Sequence, residues 1–168
     1  NGKVKLSINC PQPYKEKGVS YASHIHILIS NKAMNGWLDN FITVSVICKV
    51  DKSIVKRHLK NKDRLIINAL PKEYFDKSHI PTSFNIYYKE AKKLSSRKIK
   101  DLVIQMIDSH KNLQKYIKKN KIPLLDTPVL VYCYDKKCSA GHQLGNMLIK
   151  SGFTNIIDYS GGIVDWMK

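Results

Sequence analysis

The spacing of hydrophobic residues changes near residue 50 of the chain. Before that point apolar and polar residues alternate, as in strands that bury one face. The alternation runs from Val4 to Ile8 and from Ile25 to Ile29, and the run from Ile42 to Cys48 is rich in β-branched residues. We therefore predict a β-rich N-terminal extension over residues 1–50, built as an antiparallel unit of about three strands.

After Asp51 the pattern alternates between two kinds of element. Residues 54–59 place apolar side chains on one helical face, and Arg64 to Leu70 is a compact apolar run that suits a strand buried on both faces. Alternating helices and strands are typical of a parallel sheet. We predict an α/β domain over residues 51–168, in which helices flank a parallel sheet.

The same patterns predict the remaining elements of this domain. Ser95 or Ser96 can cap a long helix, which is expected to break near residues 108–110. The other expected elements are a helix over 72–77, a turn and short strand over 79–86, a strand over 129–132, a helix over 139–150, a strand over 155–159 and a last helical segment that includes Trp166. Tyr132 and Trp166 are expected to lie in the core.

A cysteine follows the predicted strand over 129–132 and opens the loop Cys133-Tyr134-Asp135-Lys136-Lys137-Cys138-Ser139. In open α/β sheets, ligands bind beyond the carboxyl ends of the strands, where helix amino termini also point. Loop amides curled around the sulfur, the start of the next helix and the two lysines would each favour a thiolate. We therefore predict that Cys133 is an ionised nucleophile.

The chain resembles the rhodanese superfamily from roughly Ser53 to its end. Tyr132, Cys133 and the loop to Cys138 match the tyrosine–cysteine pair and six-residue loop of that family. Further matches are Gly152-Phe153, the run Gly161-Gly162-Ile163-Val164-Asp165-Trp166 and, upstream, His79 to Ile86. Because several motifs occur in the right order, the resemblance is specific.

This resemblance implies a sulfurtransferase of the thiosulfate:cyanide type. Cys133 would take sulfur from a small anionic donor such as thiosulfate, carry it as a persulfide and pass it to a thiophilic acceptor such as cyanide, a thiol or a carrier protein. The active-site loop would consist of Tyr134, Asp135, Lys136, Lys137, Cys138 and Ser139, with its amides holding the persulfide. His79 is expected to make a structural hydrogen bond, and no cofactor is expected.

Two alternatives follow from details of the motif. Phosphatases with a similar loop have an arginine after the cysteine, with five residues between the two, and this arginine grips phosphate bidentately. Ser139 occupies that position here, so the predicted chemistry narrows to sulfur. The family commonly has an aspartate and an arginine where this chain has Asn68 and Leu70. The alternative is a catalytically weak interaction module in which Cys133 is a buried structural thiol and Cys138 only packs in the loop.

The chain is strongly basic, with 29 Lys and Arg against 13 Asp and Glu, for a net charge of +16. This charge is either a general property of the solvated surface or an attraction for polyanions, so sulfur delivery coupled to RNA binding is a further hypothesis. The sequence has neither a signal-peptide core nor the roughly 18 apolar residues of a membrane helix. We expect a cytoplasmic or otherwise intracellular protein without a membrane partner.

Two histidines are the weak candidates for a metal site. His24 and His26 are two residues apart on a predicted strand, so that their side chains point to the same face. Imidazole is a ligand for zinc and copper. The spacing alone is common, however, and no metal site is predicted from it.

Overall fold

The computed structural model describes residues 8–38 and 41–168 of the chain. The chain forms two compact units, Asn1–Val46 and Ile47–Lys168. Each unit has its own strand pairing. Within the described ranges, no helix has the length and apolar character needed to cross a membrane.

The first unit consists of two antiparallel hairpins. Strand β1 (Tyr14–Glu16) pairs with β2 (Val19–Tyr21), and β3 (His24–Ile27) pairs with β4 (Ile42–Ser45). The described part of this unit thus has four strands rather than about three. Residues 4–7 of the first predicted strand lie outside the described residues.

The second unit is built on a five-stranded parallel sheet, in the order β5-β9-β8-β6-β7. Its strands are β5 (Cys48–Val50), β6 (Leu65–Asn68), β7 (Phe84–Asn85), β8 (Val129–Tyr132) and β9 (Ile156–Tyr159). The helices of the unit are α1 (Lys52–Asn61), α2 (Lys72–Lys77), α3 (Tyr88–Ala91), α4 (Ser96–Ser109), α5 (Lys111–Lys119), α6 (Ala140–Lys150) and α7 (Gly162–Trp166). The predicted α/β class, with helices flanking a parallel sheet after an N-terminal β-rich segment, is confirmed.

The burial of the two central strands, β6 and β8, explains why their sequences are continuous apolar runs. Every residue of β6 and of β8 is buried, because each strand has a neighbour on both edges and packed side chains on both faces. The run from Ile42 to Cys48 behaves differently from our prediction of a single strand. Its first part forms β4, whereas Cys48 begins β5 and pairs in parallel with β9.

Side-chain capping accounts for two of the predicted helix boundaries, at Ser95 and at His110. Ser95 caps α4, with its hydroxyl accepting the Lys98 amide at 3.3 Å, and α2 spans the predicted residues. The predicted break is present at His110, whose Nδ1 accepts the amide of Leu113 at 3.3 Å and so starts α5. The short helix α3 and a 3-10 turn over Leu124–Asp126 were not predicted.

Candidate functional site

Cys133 lies directly after β8, at the carboxyl end of the central strand of the sheet. The helix α6 begins seven residues later, at Ala140. The Cys133 side chain is buried, at 2% exposure, and both Cys133 and Cys138 are free cysteines. The predicted position of the cysteine, between a strand end and a helix start, is confirmed.

The sulfur of Cys133 has both an acceptor and amide donors around it. Its thiol donates a hydrogen bond to the Cys138 carbonyl oxygen, at 3.0 Å. Two backbone N–H groups also point at the sulfur as hydrogen-bond donors. They belong to Tyr134 and to Gly141, which lies in the first turn of α6. The site therefore accommodates a protonated thiol and also holds two amides that would stabilise an anion at the same atom.

The protonated form is favoured at rest. Burial, together with the hydrogen bond and the charge of the neighbouring Cys138, raises the pKa of Cys133 to about 12, although the amides of Gly141 and Tyr134 oppose the rise. The free-energy cost of removing a thiolate from water is larger here than the stabilisation that the two amide hydrogen bonds provide. In this conformation of the loop Cys133 is therefore a thiol rather than the predicted thiolate, while its role as a nucleophile stays a prediction.

Asp135 accounts for much of the difference between the predicted and the observed loop. Its Oδ1 accepts the amides of Lys137 at 2.9 Å and of Cys138 at 3.0 Å. Those two amides belong to the loop that we expected to curl around the sulfur. Because the Asp135 carboxylate occupies them, the loop closes on its own side chain, and only part of the expected anion-holding nest faces Cys133.

The lysines of the loop line a surface cavity beside Cys138. The cavity has a volume of about 250 Å³, and its wall consists of Lys49, Lys136, Lys137, Cys138, Ser139, His142, Asp158 and Ser160. Lys136 and Lys137 are exposed, whereas Cys133 is buried behind the loop. The lysines are thus placed to attract an anion to the rim of the loop rather than to ionise the Cys133 sulfur directly.

Asp158 is the acidic residue in this basic cavity wall. It is 5% exposed, and burial raises its pKa while His142 and Lys49 lower it. The sequence patterns had pointed to none of these three residues. Two of them could have been found from position alone, because Asp158 lies in β9 next to the central strand and His142 lies in the first turn of the helix after the loop.

Ser139 occupies the position before α6 but does not cap the helix with its side chain. Its hydroxyl instead accepts the side-chain amide of Gln143, at 2.8 Å. The side chain of Tyr134 is exposed, while its carbonyl accepts a backbone hydrogen bond from Val164 at 3.0 Å. The seven residues of the predicted loop therefore connect the end of β8 to α6, but only some of them contact the Cys133 sulfur.

The double glycine positions the start of this loop. Gly162 has a positive φ of 63°, and a Cβ at this position would collide with the backbone of Tyr134 and with the carbonyl of Cys133. The next residue, Ile163, donates its amide to the Cys133 carbonyl at 3.0 Å. The first turn of α7 thus binds the backbone of the cysteine loop, which gives the double-glycine motif a physical role.

The two positions that depart from the family pattern still support the strand ends. Asn68, at the end of β6, accepts the Leu70 amide on its Oδ1 at 2.8 Å, and Asn85 donates its side-chain amide to the Leu70 carbonyl at 2.8 Å. An amide oxygen can replace a carboxylate in accepting this backbone hydrogen bond. These two hydrogen bonds hold the backbone at the end of β6 through Asn68 and Asn85.

The segment that begins at His79 supports the other side of β8. The amide of Ile80 donates to the Tyr132 hydroxyl at 3.0 Å, and the hydroxyl of Ser83 is also 3.0 Å from it. Nδ1 of His79 donates to the Phe75 carbonyl at 2.9 Å, and its ring stacks on that of Phe75. The expected structural hydrogen bond of His79 and the core position of Tyr132 are confirmed; Trp166 is only partly buried.

The two candidate metal ligands of the first unit lie side by side. Nε2 of His24 is 3.2 Å from Nε2 of His26. Among the residues that the structure describes, no group of three or more His, Cys, Asp or Glu side chains converges. A metal ion bound here would therefore have the two histidines as its only His, Cys, Asp or Glu ligands from the described part of the chain.

Comparison with known proteins agrees with the α/β fold of the second unit. The family model described as Rhodanese-like domain matches residues 51–168. The chain is similar in fold to the human single-domain sulfurtransferase TSTD1, with 14% identity, a TM-score of 0.50, and coverage of 73% of this chain and 96% of that one. It is also similar to the single-domain sulfurtransferase RDL2 of Saccharomyces cerevisiae, with 16% identity, a TM-score of 0.51, and coverage of 75% of this chain and 93% of that one.

An uncharacterized protein from Saccharomyces cerevisiae gives similar values. It is 18% identical, with a TM-score of 0.50 and coverage of 73% of this chain and 92% of that chain. The search of curated proteins finds no match. At these identities the solved structures support the fold alone.

Proposed function

Since the chain belongs to the rhodanese-like domain family, we propose that it is a sulfurtransferase that carries sulfane sulfur as a persulfide on Cys133. The observation that carries the proposal is the place of this sulfur. It lies at the carboxyl end of the central strand β8 and faces the amides of Tyr134 and of Gly141, at the start of α6. These amides would stabilise the negative charge of a persulfide.

The proposed reaction has two nucleophilic steps. The Cys133 thiol first gives its proton to solvent, and its sulfur attacks the outer sulfur of thiosulfate; the new S–S bond forms as the donor's S–S bond breaks and sulfite leaves with the electron pair. A thiophilic acceptor then attacks the outer sulfur of the persulfide and releases the Cys133 thiolate. Because Cys133 is 2% exposed, the loop must open before either step.

The basic cavity supports a small anion as the sulfur donor. Lys49, Lys136, Lys137 and His142 share its wall with Cys138. A cavity wall with an excess of positive charge raises the local concentration of anions, and the lysines outnumber the one carboxylate, Asp158, in this wall. We propose that the donor enters here, and that a thiol or a carrier protein later takes the sulfur from the same side.

The experiment that tests this function is an intact-mass measurement on the full chain. After incubation with thiosulfate, or with mercaptopyruvate as a second donor, the protein is expected to gain the mass of one sulfur atom on Cys133. Cys133→Ser is expected to gain none, and Cys138→Ser serves as the matched control in the same loop. If neither donor loads the wild-type protein or the Cys138→Ser variant, the proposal is wrong.

One observation favours a second candidate, a catalytically weak interaction module. Cys133 is buried, and its pKa is raised well above the ordinary value for a thiol. Buried structural cysteines in such surroundings are unreactive. On this alternative Cys133 is alkylated slowly at every pH below its raised pKa, and adding a sulfur donor in excess does not protect it from alkylation.

The net charge of +16 supports RNA as a further partner of the sulfurtransferase. For binding through phosphate contacts, the logarithm of the binding constant falls linearly with the logarithm of the salt concentration. We therefore expect a short RNA to bind at low salt and to be released as salt is added. Absence of binding at low salt, or binding that salt leaves unchanged, would remove RNA from the proposal.

A further inference from the structure

Two histidine rings converge on one point at the surface of the first unit. His24 and His26 occupy alternate positions of β3, so that both side chains leave the same face of the hairpin. Their Nε2 atoms are 3.2 Å apart, and His26 is exposed to solvent while His24 is half-buried. Both nitrogens are therefore within reach of an ion from solution.

The hydrogen bonds of the two rings are compatible with a lone pair on each of the converging nitrogens. Nδ1 of His24 lies 2.7 Å from the Ala22 carbonyl oxygen, which can only accept, so this ring carries its proton on Nδ1 and a lone pair on Nε2. Nδ1 of His26 lies 3.0 Å from Oγ1 of Thr43. A hydroxyl can donate or accept, so Thr43 also suits the form of His26 in which Nε2 is unprotonated.

This arrangement is the one that metal-binding histidines have. Such a ring usually donates its second N–H to a carbonyl or another oxygen, which fixes the tautomer and the ring orientation. Two nitrogen ligands of one tetrahedral zinc ion lie about 3.3 Å apart, because each zinc–nitrogen distance is about 2.0–2.1 Å. The observed separation of 3.2 Å between the two Nε2 atoms matches that requirement.

A third donor lies on the neighbouring hairpin strand. The hydroxyl of Tyr14 is 3.4 Å from Nε2 of His24, and the Tyr14 ring packs against that of Tyr21. Since no third His, Cys, Asp or Glu of the described residues joins the pair, a phenol oxygen and solvent are left to complete the coordination. Imidazole nitrogen together with oxygen suits a divalent ion of intermediate softness.

We propose that the Nε2 atoms of His24 and His26, which converge at 3.2 Å on β3, bind a zinc ion together with the Tyr14 hydroxyl oxygen. The site lies in the first unit and uses no residue of the cysteine loop. It is therefore independent of the proposed sulfur transfer.

Titration calorimetry of the full chain with zinc chloride tests the site. The reactive thiols are first blocked with iodoacetamide, because thiolates bind zinc as well. The wild-type protein is expected to bind one ion per chain, and His26→Gln or His24→Gln to bind it at least 10-fold more weakly. His79→Gln is the matched control, since His79 is engaged with Phe75 in the second unit, and it is expected to bind as the wild type does.

Thr43→Val separates a metal site from a mere hydrogen-bonded pair. It leaves both Nε2 atoms in place and removes only the partner of His26 Nδ1. Loss of such a partner typically weakens metal binding about 10- to 100-fold, and we expect a decrease of this order. Wild-type protein that binds no zinc, or zinc binding that His24→Gln and His26→Gln leave unchanged, would overturn the proposal.

Discussion

The Cys133 thiol is held between neighbours with opposite effects on its charge. Burial and the Cys138 thiol favour the proton, while the amides of Gly141 and Tyr134 favour the anion. The balance depends on how the loop is closed, because Asp135 holds two further amides in the resting loop. A thiol that stays protonated is protected from oxidation, which acts on thiolates.

The buried thiol makes the stability of the fold depend on pH. In the unfolded chain Cys133 ionises near about 8.5, whereas in the folded protein its pKa is raised to about 12. Between these values the folded state binds more protons than the unfolded state, so the free energy of unfolding falls as the pH rises. From pH 8 to pH 10 we expect this residue to remove about 1 to 2 kcal/mol.

Urea denaturation of the wild type and of Cys133→Ala at these two pH values measures the effect. The difference between the two proteins cancels the other groups that titrate in this range. We expect the variant to lose the Cys133 part of the pH dependence. An equal pH dependence in both proteins would show that Cys133 does not keep its proton in the fold.

Cys138 raises the pKa of Cys133 through a side-chain hydrogen bond and through its own charge. Cys138→Ala removes both effects, so we expect a lower pKa for Cys133 and faster alkylation near pH 8, measured on the peptide that contains Cys133. Cys138→Ser keeps a polar group at this position and is expected to fall between the wild type and Cys138→Ala. Slower alkylation in Cys138→Ala would contradict this account.

The sequence predicted where Cys133 lies but not the state of its thiol. A buried apolar strand followed by a loop and a helix is enough to place the residue at a strand end. The pKa depends first on burial and then on which atoms approach the sulfur, and the Asp135 side chain holds the amides of Lys137 and Cys138. Side-chain geometry of that kind leaves no periodic pattern in a sequence.

At the scale of elements, the cysteine loop is held by β8, which it follows directly, and by the first turn of α7. The first turn of α7 donates amides to the Cys133 and Tyr134 carbonyls, at 3.0 Å each. Such contacts need the helix to approach the loop backbone closely, and Gly162 permits this approach. The sequence motif could be identified from its double glycine, but its partner, the loop backbone, became apparent only from the structure.

Gly162→Ala is expected to disturb the cysteine loop. The added methyl group would collide with the Tyr134 backbone, and the residue would keep a positive φ of 63°. A non-glycine residue in that conformation costs about 1–3 kcal/mol, and relief of the collision must move the loop. We expect lower thermal stability together with a loss of sulfur loading on Cys133, measured by intact mass after incubation with thiosulfate.

Gly152→Ala provides the matched control for this variant. Gly152 also has a positive φ, of 100°, but a Cβ there would meet only the Leu125 side chain at ordinary contact distance, 3.4 Å. Its alanine variant is expected to lose stability and yet to keep the sulfur loading of the wild type. Equal sulfur loading by both variants would show that the function of the loop does not depend on Gly162.

At the scale of the whole molecule, the sequence predicted the fold class and the main elements of the parallel sheet but not the edge strand β5. The central strands are continuous apolar runs, which a periodic pattern identifies well. β5 has only three residues, one of them Lys49, and it follows β4 after a gap of two residues. Its assignment to the parallel sheet depends on pairing with β9, more than 100 residues later in the chain, which no local pattern reveals.

The position of β5 predicts how the second unit can be isolated. A fragment that begins at Ile47 keeps β5 and the side chain of Ile47, which is 6% exposed, whereas a fragment that begins at Asp51 leaves an edge of β9 unpaired. Loss of a buried isoleucine alone costs about 2–5 kcal/mol. We expect the shorter fragment, residues 51–168, to unfold at a clearly lower urea concentration than residues 47–168 under reducing conditions.

Ile47→Ala in the longer fragment separates the two contributions to this difference. It removes most of the buried side chain but keeps the three paired residues of β5, so it is expected to lie between the two fragments in stability. If the fragments unfold at the same urea concentration, β5 adds nothing to the parallel sheet, and the unit is then complete from Asp51. If the variant is as unstable as the shorter fragment, side-chain packing rather than strand pairing accounts for the contribution of β5.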